Sequence, residues 1–153
     1  MSKKGIAYLV VFLVFAVACT NRDKFDIDTT EIEVEVNIKR LDQEIFEIDP
    51  GAVDMALPGL IDTYGEFFEL YSQRIILLGS PYQKDFPEKL TGFITDYTMN
   101  KVYTEVVEVF PDLTGLEVSL EEAFKRYRYY FPDKKIPAVY TYVGGFNQSI
   151  VLS

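Results

Sequence analysis

An apolar run that ends in the chain's single cysteine decides how much sequence is left to fold. Lys3 and Lys4 open it with positive charge, Gly5 to Val17 is almost unbroken apolar residues, and Ala16-Val17-Ala18 places small side chains directly before Cys19. That order is a secretory leader. The run is shorter than the roughly 20 apolar residues a membrane-crossing helix needs, and Thr20-Asn21-Arg22-Asp23-Lys24 after it is polar. Removing residues 1–18 leaves about 135 residues, enough for one domain. A fold of that size must hold together by packing, because one cysteine cannot make an internal disulfide. With 12 Phe and 11 Tyr the chain has the bulk for a core.

A thiol immediately after small residues resembles a bacterial lipobox, in which Cys19 carries the lipid and becomes the new N-terminus. The resemblance implies acyl chains, palmitate among them, holding the chain to a membrane, with the outer membrane of the cell envelope as the expected address. Residues 19–30 read as an acidic tether leading away from that anchor, and residues 31–153 as the folded domain.

Charge and composition exclude several activities. Lys and Arg number 15 against 24 Asp and Glu, a net charge of −9 that grows once Lys3 and Lys4 leave with the leader. Such a surface repels nucleic acid, so no nucleic-acid partner is expected. The chain has no histidine. A His-Glu-x-x-His zinc site, a Ser-His-Asp triad and a Cys-His pair are therefore all impossible within it. No glycine-rich phosphate loop or nucleophile elbow occurs either. No catalytic, cofactor-binding or metal residue is assigned, and the chain reads as not an enzyme.

The patterning predicts an α+β fold, mostly helical, with an N-terminal strand and a C-terminal β-hairpin in one small sheet. Ile32, Val34, Val36 and Ile38 alternate with Glu33, Glu35, Asn37 and Lys39, the period of a strand with one buried face. Leu41 to Ile48 reads as a short helix with Ile45 and Phe46 inward, ended by Asp49-Pro50-Gly51. Leu60, Ile61, Tyr64, Phe67 and Phe68 have helical spacing within one helix from Leu57 to Leu70. Phe86 to Phe93 is a further helical piece. Asp96 is a cap for a helix running through Tyr103 to Phe110. Ser119, with Glu122 three residues on, reads as a capping box opening a helix whose Leu120, Phe124, Tyr127 and Phe131 face the core. Pro137 to Val143 is a strand, Gly144-Gly145 a turn, and Ser149 to Leu152 the start of a second strand that ends with a bare edge.

Three of these stretches occur together in a known family. The lipobox and acidic tether, the segment IEVEVNIKRLDQEIFEI with Arg40-Leu41-Asp42 at its centre, and the segment Tyr129-Tyr130-Phe131-Pro132 followed by Pro137-Ala138-Val139-Tyr140-Thr141 resemble the gliding motility lipoprotein GldB family. The resemblance implies an envelope lipoprotein that works with other envelope proteins, as a non-catalytic component of a membrane-associated machinery. Members continue past this hairpin, so it also implies that the chain spans the N-terminal portion of a typical member. A distant similarity to zincin-like peptidases implies the N-terminal part of such a fold, and an alternative in which a metal site lies further along the chain.

Smaller patterns have functional and structural readings side by side. Asp26, Asp28 and Thr30 start like an EF-hand loop, but Glu31 stands where glycine is needed and Asn37 where the closing glutamate is needed; a solvated acidic tether accounts for them. Tyr127, Tyr129 and Tyr130 are of a type that stacks on sugars, while helical spacing places Tyr127 on the core face. Asp28-Thr29-Thr30 resembles a bacterial O-glycosylation string, with Thr29 as the acceptor. Asn147-Gln148-Ser149 matches the N-glycosylation pattern, which has little meaning in a bacterial lipoprotein.

Overall fold

The computed structural model describes residues 27–145. They form two compact units, one of residues 35–121 with 137–145, the other of residues 27–34 with 122–136. The leader, Cys19, Asp26 and the second hairpin strand, Ser149 to Leu152, lie outside the described residues. In chain order the elements are β1 (Ile38–Arg40), α1 (Leu41–Phe46), a 3-10 turn (Pro50–Ala52), α2 (Val53–Tyr64), α3 (Glu66–Leu70), a π-helical turn (Tyr71–Ile75), α4 (Phe86–Thr95), α5 (Tyr97–Val109), α6 (Thr114–Tyr130) and β2 (Val139–Thr141). The fold is thus mostly helical with one small sheet. Its two strands run parallel, with Ile38 opposite Val139 and Arg40 opposite Thr141.

The alternation predicted for residues 32–38 is present in burial. Val36 and Ile38 are buried, Ile32 and Val34 half-buried, and Glu31, Glu33, Glu35 and Asn37 exposed. A hydrogen-bonded ladder forms only from Ile38 onward. The register that sets Ile38 against Val139 would set Val36 against Pro137, and proline has no N–H to donate. The two preceding apolar residues keep their inward face without a strand partner.

The core of the larger unit is drawn from α1 to α4. Leu41 and Ile45 of α1, Leu60 of α2, Phe68 of α3, and Phe86 and Leu90 of α4 are fully or almost fully buried. Phe68 meets the edge of Phe86 with ring centroids 6.1 Å apart, and Phe46 stacks on Tyr103 at 4.8 Å, geometries that aromatic pairs favour. The single helix expected from Leu57 to Leu70 is two. Gly65 takes φ 51° and ψ −127°, a backbone state glycine reaches far more readily than other residues. The inward face survives the break, since Leu57, Leu60 and Tyr64 on one side of it and Phe68 on the other are all buried.

Asp96 caps α5 as its sequence predicts, its carboxylate accepting from the Met99 N–H at 2.9 Å. The prediction for α6 is corrected in two respects. The helix begins at Thr114, not beside a Ser119 cap. Asp112 accepts from the Thr114 N–H at 3.2 Å and from its hydroxyl at 2.7 Å, so the acidic residue that follows Pro111 opens this helix. Ser119 lies inside it, donating its hydroxyl to the Gly115 carbonyl at 2.8 Å, and Glu122 pairs with Lys125 at 2.9 Å. The expected core face is also absent: no residue of α6 is buried, Phe124 is half-buried, and Phe131 is 51 % exposed. Charged residues at 117, 121, 122, 125, 126 and 128 leave too few apolar positions for a continuous stripe.

Candidate functional site

Strand β1 ends in two cations, and each reaches the C-terminal end of a helix. Lys39 Nζ donates to the Thr63 carbonyl in the last turn of α2 at 2.9 Å. The same ammonium lies 5.8 Å from the Tyr64 ring centre and 6.0 Å from that of Tyr140, within cation–π range. Arg40 Nη1 donates to the Phe110 carbonyl, just past α5, at 2.9 Å. Helix C-termini carry partial negative charge and unsatisfied carbonyls. The Lys-Arg pair in a short strand therefore fixes where two helices end.

Beyond these cations the chain turns directly into α1, which places Asp42 in the first turn of that helix. The residue is 1 % exposed, and both carboxylate oxygens are hydrogen-bonded. Arg40 donates to it through Nη2 at 2.6 Å and Nε at 3.3 Å, a forked ion pair. The Thr141 hydroxyl donates to Oδ1, the oxygen that also accepts from Arg40 Nε. Burial pushes the Asp42 carboxyl upward, but the Arg40 and Thr141 hydrogen bonds and the Arg40 charge outweigh it, and the net shift is below the ordinary aspartate value. The Arg40-Leu41-Asp42 motif and the Pro137-to-Thr141 motif, some hundred positions apart, thus meet in one bond network.

A second polar contact secures the end of β2. Tyr71, in the π-helical turn, donates its hydroxyl to the Val143 carbonyl at 2.8 Å, and burial raises its pKa. Tyr140 stacks on Phe67 at 4.1 Å. The hydroxyl of Tyr64 is buried with no hydrogen-bond partner. Burial and then the nearby Glu44 raise its pKa, although the two side chains do not reach hydrogen-bonding geometry.

On its other edge β1 is bonded to a helix. The N–H of Ile38 donates to Glu117 Oε1 at 2.9 Å, and the N–H of Val36 donates to Glu121 Oε1 at 3.2 Å. Glu117 and Glu121 are four apart on α6 and so share a face. Only their spacing of four marks these glutamates in the sequence.

The remaining predicted positions are dispersed. Thr29 is half-buried in a turn closed by its carbonyl accepting from the Ile32 N–H at 3.0 Å. Asp28 beside it accepts from the Thr30 N–H at 3.0 Å and hydroxyl at 2.7 Å. These bonds hold the Asp28 carboxyl below its ordinary value. Residues 27–30 with Glu122 and Arg126 line a shallow open depression. Tyr129 and Tyr130 are exposed, edge to face with ring centroids 5.2 Å apart, and Tyr127 lies against Phe131. Among the described residues no three His, Cys, Asp or Glu side chains gather in a way that could hold a metal ion, and no helix is long and apolar enough to cross a membrane.

A family model described as "Gliding motility protein GldB" matches residues 22–153. The chain belongs to that family. No curated protein and no solved structure matches it.

Proposed function

We propose that this GldB-family chain is a lipid-anchored, non-catalytic component of the cell envelope that serves gliding motility. Acyl groups on Cys19 hold it to the outer membrane, residues 20–30 act as its tether, and the folded domain engages other envelope proteins. The observation that carries the reading is the family match over residues 22–153. The local chemistry favours a scaffold. The buried carboxylate of Asp42 has both oxygens hydrogen-bonded within the fold, to Arg40 and to Thr141. Under the same reading Thr29 carries an O-linked glycan.

Mass spectrometry and membrane fractionation of the protein from its own cells test both modifications. Cys19→Ala should abolish incorporation of a fatty-acid probe and move the chain out of the membrane fraction. Thr29→Ala should remove the sugar mass and leave the acyl mass in place. A Cys19→Ala chain that still takes up the probe would overturn the anchor, and an unmodified Thr29 in the wild type would overturn the glycan.

A further inference from the structure

Positive charge in this acidic chain is concentrated in one place. Five of its 15 Lys and Arg fall within residues 125–135, at the end of α6 and just after it, beside a single acid, Asp133. Lys125 is paired with Glu122 at 2.9 Å. Arg126, Lys134 and Lys135 are exposed and make no ion pair among the described residues. Residues 20–26 carry two acids but also two cations, and residues 146–153 carry no charged side chain, so neither stretch brings surplus negative charge to them. Among these cations stand Tyr129, Tyr130 and Phe131, each more than half exposed. Tyr129 and Tyr130 lie three and four residues beyond Arg126 and so share its helix face. Tyrosine beside lysine and arginine suits the headgroup layer of a bilayer: the ring enters, the hydroxyl stays wet, and the cations meet phosphate. The same compact unit holds residues 27–34, and Ile27 lines the depression beside Arg126. Ile27 is eight residues on from Cys19, a reach of at most about 28 Å.

We infer that the end of α6 and the turn after it dock on the anionic phospholipid surface of the membrane that holds the anchor. This rests on the Cys19 anchor proposed above. Arg126, Lys134 and Lys135 meet lipid phosphates, while Tyr129, Tyr130 and Phe131 enter the headgroup layer. The rest of the chain is strongly acidic and is repelled by the same surface, so the contact fixes which face of this unit meets lipid. Attraction of a cation to such a surface is modest and fades within about 10 Å. The anchor supplies the high local concentration that sustains it.

The chain has no tryptophan, so Tyr129→Trp installs a single reporter in the full chain. The chain is reconstituted into vesicles of phosphatidylethanolamine with phosphatidylglycerol, or of phosphatidylcholine alone, each containing lipid brominated high on the acyl chain. Quenching of the reporter should be at least about twofold greater on the anionic vesicles, and about 0.5 M salt should remove the difference. Lys134→Glu with Lys135→Glu should remove it too, while Lys134→Arg with Lys135→Arg should keep it. Flotation separates the docking from the anchor. A chain that floats on both vesicles keeps its anchor. If its reporter is then quenched equally on both, is quenched on neither (as a patch serving an acidic protein would give), or shows a difference that the two glutamates leave intact, the docking is overturned. A chain that does not float on phosphatidylcholine overturns the anchor, and the docking is read from the anionic vesicles alone. Flotation there that the two glutamates weaken at least about tenfold supports it; no flotation, or flotation indifferent to them, overturns it.

Discussion

Replacing Asp42 with alanine removes the acceptor of two separate donors. The Arg40 guanidinium, whose side chain is 15 % exposed, would keep only the Phe110 carbonyl. The Thr141 hydroxyl would lose its acceptor, and with it goes the side-chain link between α1 and β2. Deleting one member of a buried ion pair costs about 3–5 kcal/mol, because the other charge stays buried. That is a large part of the 5–15 kcal/mol a domain has in total. Thr141→Val keeps the ion pair and should cost only about 1 kcal/mol. Asp42→Asn, which keeps an acceptor but no charge, should fall between them. Urea denaturation of the leaderless chain, followed by circular dichroism, would order the three. The pH dependence has a definite sign. The folded state holds the Asp42 carboxyl below its ordinary value, so its contribution is complete above the ordinary aspartate range. It is lost as pH falls from there through the lower folded value. Asp42→Asn should be flatter across that acid window. Asp42→Ala within 1 kcal/mol of wild type would refute the view that this network holds the strand pair.

Glu117→Ala leaves the Ile38 N–H without its acceptor and should cost about 1–3 kcal/mol; Glu117→Gln, which restores an acceptor oxygen, should recover much of it in the same denaturation series. Leu77 holds φ 59° just after the π-helical turn, with its side chain 63 % exposed. Leu77→Gly should therefore stabilise by about 1 kcal/mol, read as a melting temperature a few degrees higher; a lower one would mean that the leucine side chain packs in a way its exposure conceals.

How legible the fold was depends on whether the signal was local. The alternation over residues 32–38 and the cap at Asp96 both rest on neighbouring residues, and both are present. The failure at Ser119 had a local cause too. Ser119 and Glu122 fit a capping pattern, but Asp112 lay far enough upstream to open the helix first. Gly65 stood in plain view within an apolar period that continued across it, and periodicity alone does not distinguish a helix from two helices sharing a face. The candidate site was legible in its parts and not in its assembly. Arg40-Leu41-Asp42 and Pro137 to Thr141 could each be singled out, but that Thr141 closes on Asp42 depends on a parallel crossover through six helices. The roles of Glu117 and Glu121 are less visible still, since a surface glutamate and a glutamate that closes a strand edge read alike.

The bonding of α6 to β1 is a question of pitch. Four residues along a helix advance about 6.0 Å, and two along a strand about 6.6 Å. Carboxylates at 117 and 121 therefore fall in step with amides at 38 and 36, the helix descending as the strand ascends. Since no residue of α6 is buried, little else fixes its axial setting. The two rods mesh like a rack and a worm, and the mesh tolerates no half step. Deleting one residue between 117 and 121 would swing the second tooth through about 100° of helical arc, out of reach of Val36. Substitutions elsewhere on the exposed face of the helix leave the count unchanged, so length is held more tightly here than composition.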